Sequence, residues 1–179
     1  TTPPPLGGTP RRVLFRKDSW LALADEREPW SAEWYPVSAD YFETVQIPVR
    51  QGRTVTRQDA QSTPPVAMIN TSMAARYWPN ENPIGRLLQT DVLDDPPREI
   101  VGVVGDVRQD RYQLAPVPQV YVSRTQLPHR MDMQMSLEVL VTTFVVRAAG
   151  DPLPLAPVLR AAVRDIDATL SVSSARTVK

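Results

Sequence analysis

Few side chains in this 179-residue sequence are of a kind that does chemistry, and their spacing decides how they are read. Arg98-Glu-Ile-Val-Gly-Val-Val-Gly-Asp106 sets two glycines three apart after an apolar run and ahead of an acid, the outline of a phosphate-binding turn. A Walker loop would add a Lys and a Ser or Thr for phosphate and metal, whereas Asp106, Val107 and Arg108 follow Gly105. A dinucleotide-binding turn needs G-x-G-x-x-G opening a helix, and only G-x-x-G is present. The glycines are therefore expected to serve the fold, as strand glycines do at a bulge or where a second backbone comes close.

Two carboxylate pairs, Asp94/Asp95 and Asp106/Asp110, have the side chains for acid–base work. Asp94 and Asp95 adjoin Pro96 and Pro97, which reads as an exposed turn with a solvated face. The one histidine, His129, precedes no G-x-S-x-G elbow, and no such elbow occurs anywhere in the chain. A Ser–Lys dyad would have to use Lys17 or Lys179, both near the ends. Met131, Met133 and Met135 alternate just beyond His129, and thioethers with an imidazole suit Cu(I). No second soft cluster supports that reading, and Met also fills irregular apolar gaps. With no cysteine, thiol catalysis, thiolate metal sites and disulfides are excluded, although the compartment is left open. No base, nucleophile and oxyanion or metal group assemble, so the expectation is a chain that is not an enzyme, with no catalytic, cofactor-binding or metal residues and no cofactor.

Twenty basic and twenty acidic side chains cancel, which is not the electrostatic footprint of a nucleic-acid binder. No apolar run approaches the roughly 20 residues that span a bilayer. The chain opens without Met and stops in what reads as a strand, so both ends read as cut from something longer.

The elements that would position these residues are short. Strands are expected at Arg12–Arg16, at Glu33–Ser38 with an edge proline, at Val66–Ile69, at Arg86–Gln89 and Glu99–Val104 around an acidic hairpin (91–97), at Gln119–Ser123 and at Thr143–Arg147. Ser38 is expected to cap a helix over 39–45, and Gln51-Gly-Arg53 reads as a turn. A second helix begins at Asn70 or Thr71 and runs through Trp78, ended by Pro79 and Asn82-Pro-Ile-Gly85. Leu155, Val158, Leu159, Ala162, Val163 and Ile166 make an amphipathic stripe, with Pro157 in the first turn of a last helix. A closing strand starts at Leu170–Val172. The sum is an α+β fold, a mixed sheet with packed helices.

Assembled in order, these blocks resemble a known family. Val37-Ser-Ala-Asp-Tyr-Phe-Glu-Thr-Val-Gln-Ile-Pro48 with Gln51-Gly-Arg53, Val66-Ala-Met-Ile-Asn70, Ala75-Arg-Tyr-Trp-Pro79, Asn82-Pro-Ile-Gly85, Arg98–Arg108, Pro118-Gln-Val-Tyr121 and Phe144–Pro152 are similar to the signature of the MacB-like periplasmic core domain. That domain belongs to ABC transporter permeases of the FtsX/MacB type. The best fit is to large acidobacterial permeases without a fused ATPase. The match is weakest over 126–141.

The resemblance implies a segment outside the inner membrane, in the periplasm, between transmembrane helices. It implies two subdomains: a porter-like α+β part from residues 1–57 and 136–179, and a smaller, mostly β insert from 58–135. It implies a non-catalytic domain that transmits conformational change and contacts a partner or substrate during export. The alternative is a periplasmic ligand-binding module that takes an amphipathic substrate in the cleft between the two parts. Implied partners are the parent's transmembrane helices, a periplasmic adaptor or other envelope protein, a separate ATPase subunit and a second parent copy, with no nucleic acid. Tyr41, Phe42, Tyr77, Trp78 and Tyr121 would be packing anchors, and partner surfaces would lie on the loops 91–97 and 127–135.

Overall fold

A computed structural model describes residues 11–17, 30–92, 94–107, 115–127, 143–170 and 172. The strands are β1 (Arg11–Lys17), β2 (Ser31–Val37), β3 (Val49–Gly52), β4 (Val66–Asn70), β5 (Leu87–Thr90), β6 (Arg98–Val104) and β7 (Gln119–Ser123). The helices are α1 (Tyr41–Val45), α2 (Thr71–Tyr77) and α3 (Leu155–Ile166), with a 3₁₀ turn at Arg124–Gln126. The strands lie in the order β3-β6-β4-β7-β2-β1-β5, and β5 pairs again with β6. That last pairing closes six strands into a ring, leaving β3 attached outside it. Pairings β2–β7 and β4–β6 are parallel and the rest antiparallel, so the sheet is mixed as expected. Strands on both sides of the boundary expected at 57/58 share this sheet.

β4 and β7 are buried along their whole length, which is why VAMIN and QVYVS read as near-continuous runs. The pleat divides their side chains between two cores. Ala67, Ile69, Ile100, Val120 and Val122 join Val13, Phe15, Trp34 and Leu88 on one face, where α2 contributes Met73 and Tyr77. Val66, Met68, Val101 and Tyr121 face the other way onto Tyr41, Phe42 and Val45 of α1. Asn70 ends β4 and caps α2: its Oδ1 accepts from Met73 N at 3.0 Å and from Gln119 N at 2.9 Å. Pro36 pairs with Val122 of β7 and lies beyond the described stretch of β2 that pairs with β1.

Several expectations are corrected. α1 begins at Tyr41 rather than Ala39, and Ser38 contributes its carbonyl to Tyr41 N instead of a capping hydroxyl. Gln51 and Gly52 belong to a strand, not a turn, because β6 offers them an edge. Thr143–Arg147 carries no ladder. Alternation supplies a face, but a strand also needs a partner edge, and Phe144 is left 78% exposed. The strand expected to start at Leu170–Val172 lies mostly outside the described residues. α3 spans the expected residues with Pro157 in its first turn, yet none of its side chains is buried.

The two glycines of the 98–106 stretch are fold residues. A Cβ on Gly102 would meet Arg53 O at 2.1 Å, where the chain leaving β3 crosses β6. One on Gly105 would press on the Pro48 ring at 3.1 Å. Gly52, at φ +69°, faces Val101 O in the same seam. Gly102→Ala should therefore lower unfolding stability by about 3 kcal/mol or more, because backbone has to shift. Gly150→Ala, with nothing within 4 Å of the added carbon, should stay within about 1 kcal/mol of the parent chain. Urea denaturation of both variants checks the contrast.

Candidate functional site

Polar side chains converge in three buried or half-buried groups. In the first, Arg98 is fully buried and its Nε and Nη2 donate to Asp95 Oδ1 at 2.9 and 2.7 Å. Thr90 Oγ1 donates to the other carboxylate oxygen at 2.8 Å. Gln126 completes the group: its Oε1 accepts from Val66 N at 3.0 Å and its Nε2 donates to Pro64 O at 2.9 Å. Asp95 is thus 4% exposed, against the expectation of a solvated turn. Asp94 takes φ +58° and turns the chain, which drops the next carboxylate onto the arginine at the start of β6. A buried guanidinium must be paired and hydrogen-bonded, and this one is. Both Asp95 oxygens and all three guanidinium nitrogens are hydrogen-bonded within the protein, so the pair pins loop to strand.

The second group lies between β2 and β7. Tyr121 OH donates to Gln119 Oε1 at 2.8 Å, Gln119 Nε2 to Glu33 Oε2 at 3.2 Å, and Tyr35 OH to the same carboxylate oxygen at 2.6 Å. Tyr35 and Tyr121 stack at 5.6 Å, and Phe42 meets Tyr121 edge-on at 5.1 Å. Burial, then the Glu33 carboxylate it serves, pushes the Tyr35 hydroxyl above the usual phenol range. Burial does the same to Tyr41 and Tyr121. The expected anchors Tyr41, Phe42, Tyr77, Trp78 and Tyr121 are all buried.

In the third group Arg53 Nη1 and Nη2 grip both oxygens of Asp59 at 2.8 and 2.9 Å. Asp59 also accepts from Thr56 N and Oγ1, and its carbonyl accepts from Ser123 and Thr125 hydroxyls. The guanidinium, followed by the Thr56 donors, holds the Asp59 carboxyl below the ordinary carboxylate range despite its burial.

Of the remaining candidates, only Asp106 and Lys17 are among the described residues. Asp106 Oδ1 accepts from Ser72 N at 2.8 Å at the start of α2, while Asp110, His129, Met131, Met133, Met135 and Lys179 lie outside the described residues. Lys17 donates to Tyr77 O, with its ammonium between the rings of Trp30 and Trp78. Among the described residues no three His, Cys, Asp or Glu side chains are placed to hold a metal. An open groove of about 510 Å³ is lined by Gln51, Gly52, Asn80, Glu81, Asn82 and Ile84. Sequence reasoning missed this groove, because residues 51–52 and 80–84 meet only through β3 and β5 sharing an edge of β6.

A family model described as the MacB-like periplasmic core domain matches residues 14–158. The "Macrolide export ATP-binding/permease protein MacB" of Aggregatibacter actinomycetemcomitans is 30% identical over 88 residues. That alignment takes in 49% of this chain and 13% of the relative, so the chain matches only a small part of that protein's length. The crystal structure of the periplasmic region of MacB from Actinobacillus actinomycetemcomitans is similar in fold, with a TM-score of 0.55 at 15% identity over 88% of this chain and 64% of that one. The extracellular domain of the noncanonic ABC-type transporter YknZ from Gram-positive bacteria gives a TM-score of 0.52 at 16% identity, covering 92% and 80%.

Two pH responses follow from the buried groups. Tyr35, Tyr41 and Tyr121 are stabilised in the neutral form, so their contribution is complete below the ordinary tyrosine pKa of about 10 and is lost as pH rises past it. In an alkaline titration their phenolate absorbance should appear only together with loss of secondary structure. Asp59 is the opposite case: its contribution is present above the ordinary value of about 4 and fades as pH falls through its lowered one. The difference in thermal midpoint between the parent chain and Asp59→Asn should therefore narrow in acid.

Proposed function

The chain belongs to the family of MacB-like periplasmic core domains, and from that premise we propose that it is the non-catalytic extracytoplasmic part of an ABC-type permease in the inner membrane. Its task would be to carry conformational change across the envelope side of the transporter and to contact a partner or substrate during export. The observation that carries this reading is where the family's signature residues are spent. Tyr41, Phe42, Tyr77, Trp78 and Tyr121 are buried in packing, and Gly102 and Gly105 serve close backbone and ring approach. Arg98 neutralises Asp95 inside the protein. A signature made of packing residues supports a stiff scaffold, since large buried aromatic area resists deformation.

The division of labour proposed is a porter-like part, 1–57 with 136–179, around an insert, 58–135. β1 and β2 are hydrogen-bonded into one ring with β4 to β7. Displacement between the parts would therefore have to be taken up on the 136–179 side. Proposed partners are the parent's transmembrane helices, an envelope adaptor, a separate ATPase subunit and a second parent copy. The loops 91–97 and 127–135 are the proposed contact surfaces, as loops on rigid scaffolds generally are.

The groove at Gln51, Gly52 and Asn80–Ile84 favours a second reading, a ligand-binding module between the two parts. Its lining is mostly amide and carboxylate, with Ile84 the one large apolar side chain.

The complete parent, expressed in cells, tests the main reading. The segment should stay with the membrane fraction and be cleaved by protease added outside spheroplasts. Release as a soluble protein, or cleavage only after lysis, overturns it. Asp94→Asn and Pro97→Ala combined with an alanine block over 128–135, with the buried Val92 and Asp95 kept, should reduce export while leaving the parent's abundance unchanged.

A further inference from the structure

Tyr77 and Trp78, at the C-terminal end of α2, are held from two sides by the β1–β2 pair. Tyr77 OH donates to Ser31 O at 3.0 Å and accepts from Ser31 N at 3.3 Å, tying the helix to the first residue of β2. Tyr77 O accepts from the ammonium of Lys17, the last residue of β1. The same ammonium lies 4.8 Å from the ring centroid of Trp30 and 5.0 Å from that of Trp78. Phe15 fills the space behind, edge-on to Tyr77 at 4.9 Å and stacked at 6.4 Å from Trp78. A cation between two indoles, bonded to a carbonyl at a helix C-terminus, is favoured by ring quadrupole and helix dipole together.

The joint leads directly to the groove. Trp78 O accepts from Glu81 N at 3.1 Å, which starts the loop whose Asn80, Glu81, Asn82 and Ile84 line it. The far end of that loop is fixed by Gly85 N donating to Ile100 O at 2.8 Å on β6. One end of the loop is therefore held by the sheet and the other by the aromatic box around Lys17.

We propose that Lys17 is the pin of a joint coupling the β1–β2 pair to the C-terminal end of α2 and to the 79–84 loop. The inference rests on reading the domain as a transmitter of conformational change: β1 and β2 fall in the proposed porter-like part, and α2 in the insert. Strain on β1 would reach the groove wall through the Lys17 cation and the Tyr77–Ser31 hydrogen bonds, beside the β1–β5 and β1–β2–β7 ladders of the ring. Arginine keeps the charge and the reach; methionine keeps the apolar stem and removes the charge.

Amide hydrogen exchange on the 179-residue chain tests the joint without reference to transport. In Lys17→Met, peptides spanning 78–85 should exchange about tenfold faster or more, with β4 and β7 as slow as before. Lys17→Arg, which keeps a cation able to stack on indole, should exchange more slowly over 78–85 than Lys17→Met, and Trp30→Leu, which removes one wall of the box, should shift 78–85 in the same direction as Lys17→Met. Unchanged exchange over 78–85 in Lys17→Met overturns the joint. So does an arginine variant as fast as the methionine one, or acceleration that spreads through β4 and β7. Export by a parent carrying Lys17→Met is the separate readout: accelerated exchange with normal export overturns the coupling role, and leaves the extracytoplasmic placement standing on the protease result.

Discussion

The fold depends on β6 having three neighbours. One edge takes β4 in parallel; the other takes β5 against Arg98 and Glu99 and then β3 against Gly102 to Val104. A strand has only two edges, so β3 and β5 must follow one another along the same one, and the chain must cross β6 where they meet. Arg53 N donates to Val101 O at 2.9 Å at that crossing, and Ile100 N to Arg86 O at 2.9 Å just before it. No side chain fits between two backbones so close, which is the physical demand behind Gly52 and Gly102. Once both strands are seated, β5 can reach β1 and the ring closes, leaving β6 no unpaired ladder in its first half.

The buried ion pair belongs to the same constraint. Arg98 opens β6, and its guanidinium spans the gap between the 90–95 turn, Val66 of β4 and the Gln126 turn after β7. Desolvating such a pair is costly, and a well-packed apolar replacement is often as stable. What the pair adds is directionality: hydrogen bonds of fixed geometry reach elements that are far apart in sequence, where apolar contact would tolerate a slipped register. Asn70 and Gln119 play a similar part at the opposite end of β4 and β7, joining helix cap, strand start and the Val117 carbonyl.

Much of this was legible in the sequence, and the reasons for the rest are specific. The short apolar runs of β4 and β7, the Asn70 helix start and the Pro157 helix were readable because local pattern and packing agree there. β3 was read as a turn because Gln51 and Gly52 have the composition of one, and only the tertiary edge of β6 makes them a strand. Asp95 looked solvated beside two prolines because nothing local announces an arginine three residues on as its buried partner. The glycines of the 98–106 stretch, by contrast, read as fold residues from the motif itself, and both sit at close contacts in the structure, Gly102 against Arg53 and Gly105 against Pro48.

α3 is where local pattern and packing part company. Its stripe is regular enough to define a helix, yet Ile166 is 84% exposed and no residue of the helix is buried. A twelve-residue helix is marginal by itself in water, and most helical stability comes from a packed face. Val145, ahead of it in sequence, packs against the core cluster that holds Tyr35, Phe42 and Tyr121. The chain from 143 onward is thus connected to the ring at its near end and presents apolar surface along its far one. The ring is locked strand to strand around β6 and its glycines, whereas the energy of α3 still depends on what its apolar stripe packs against.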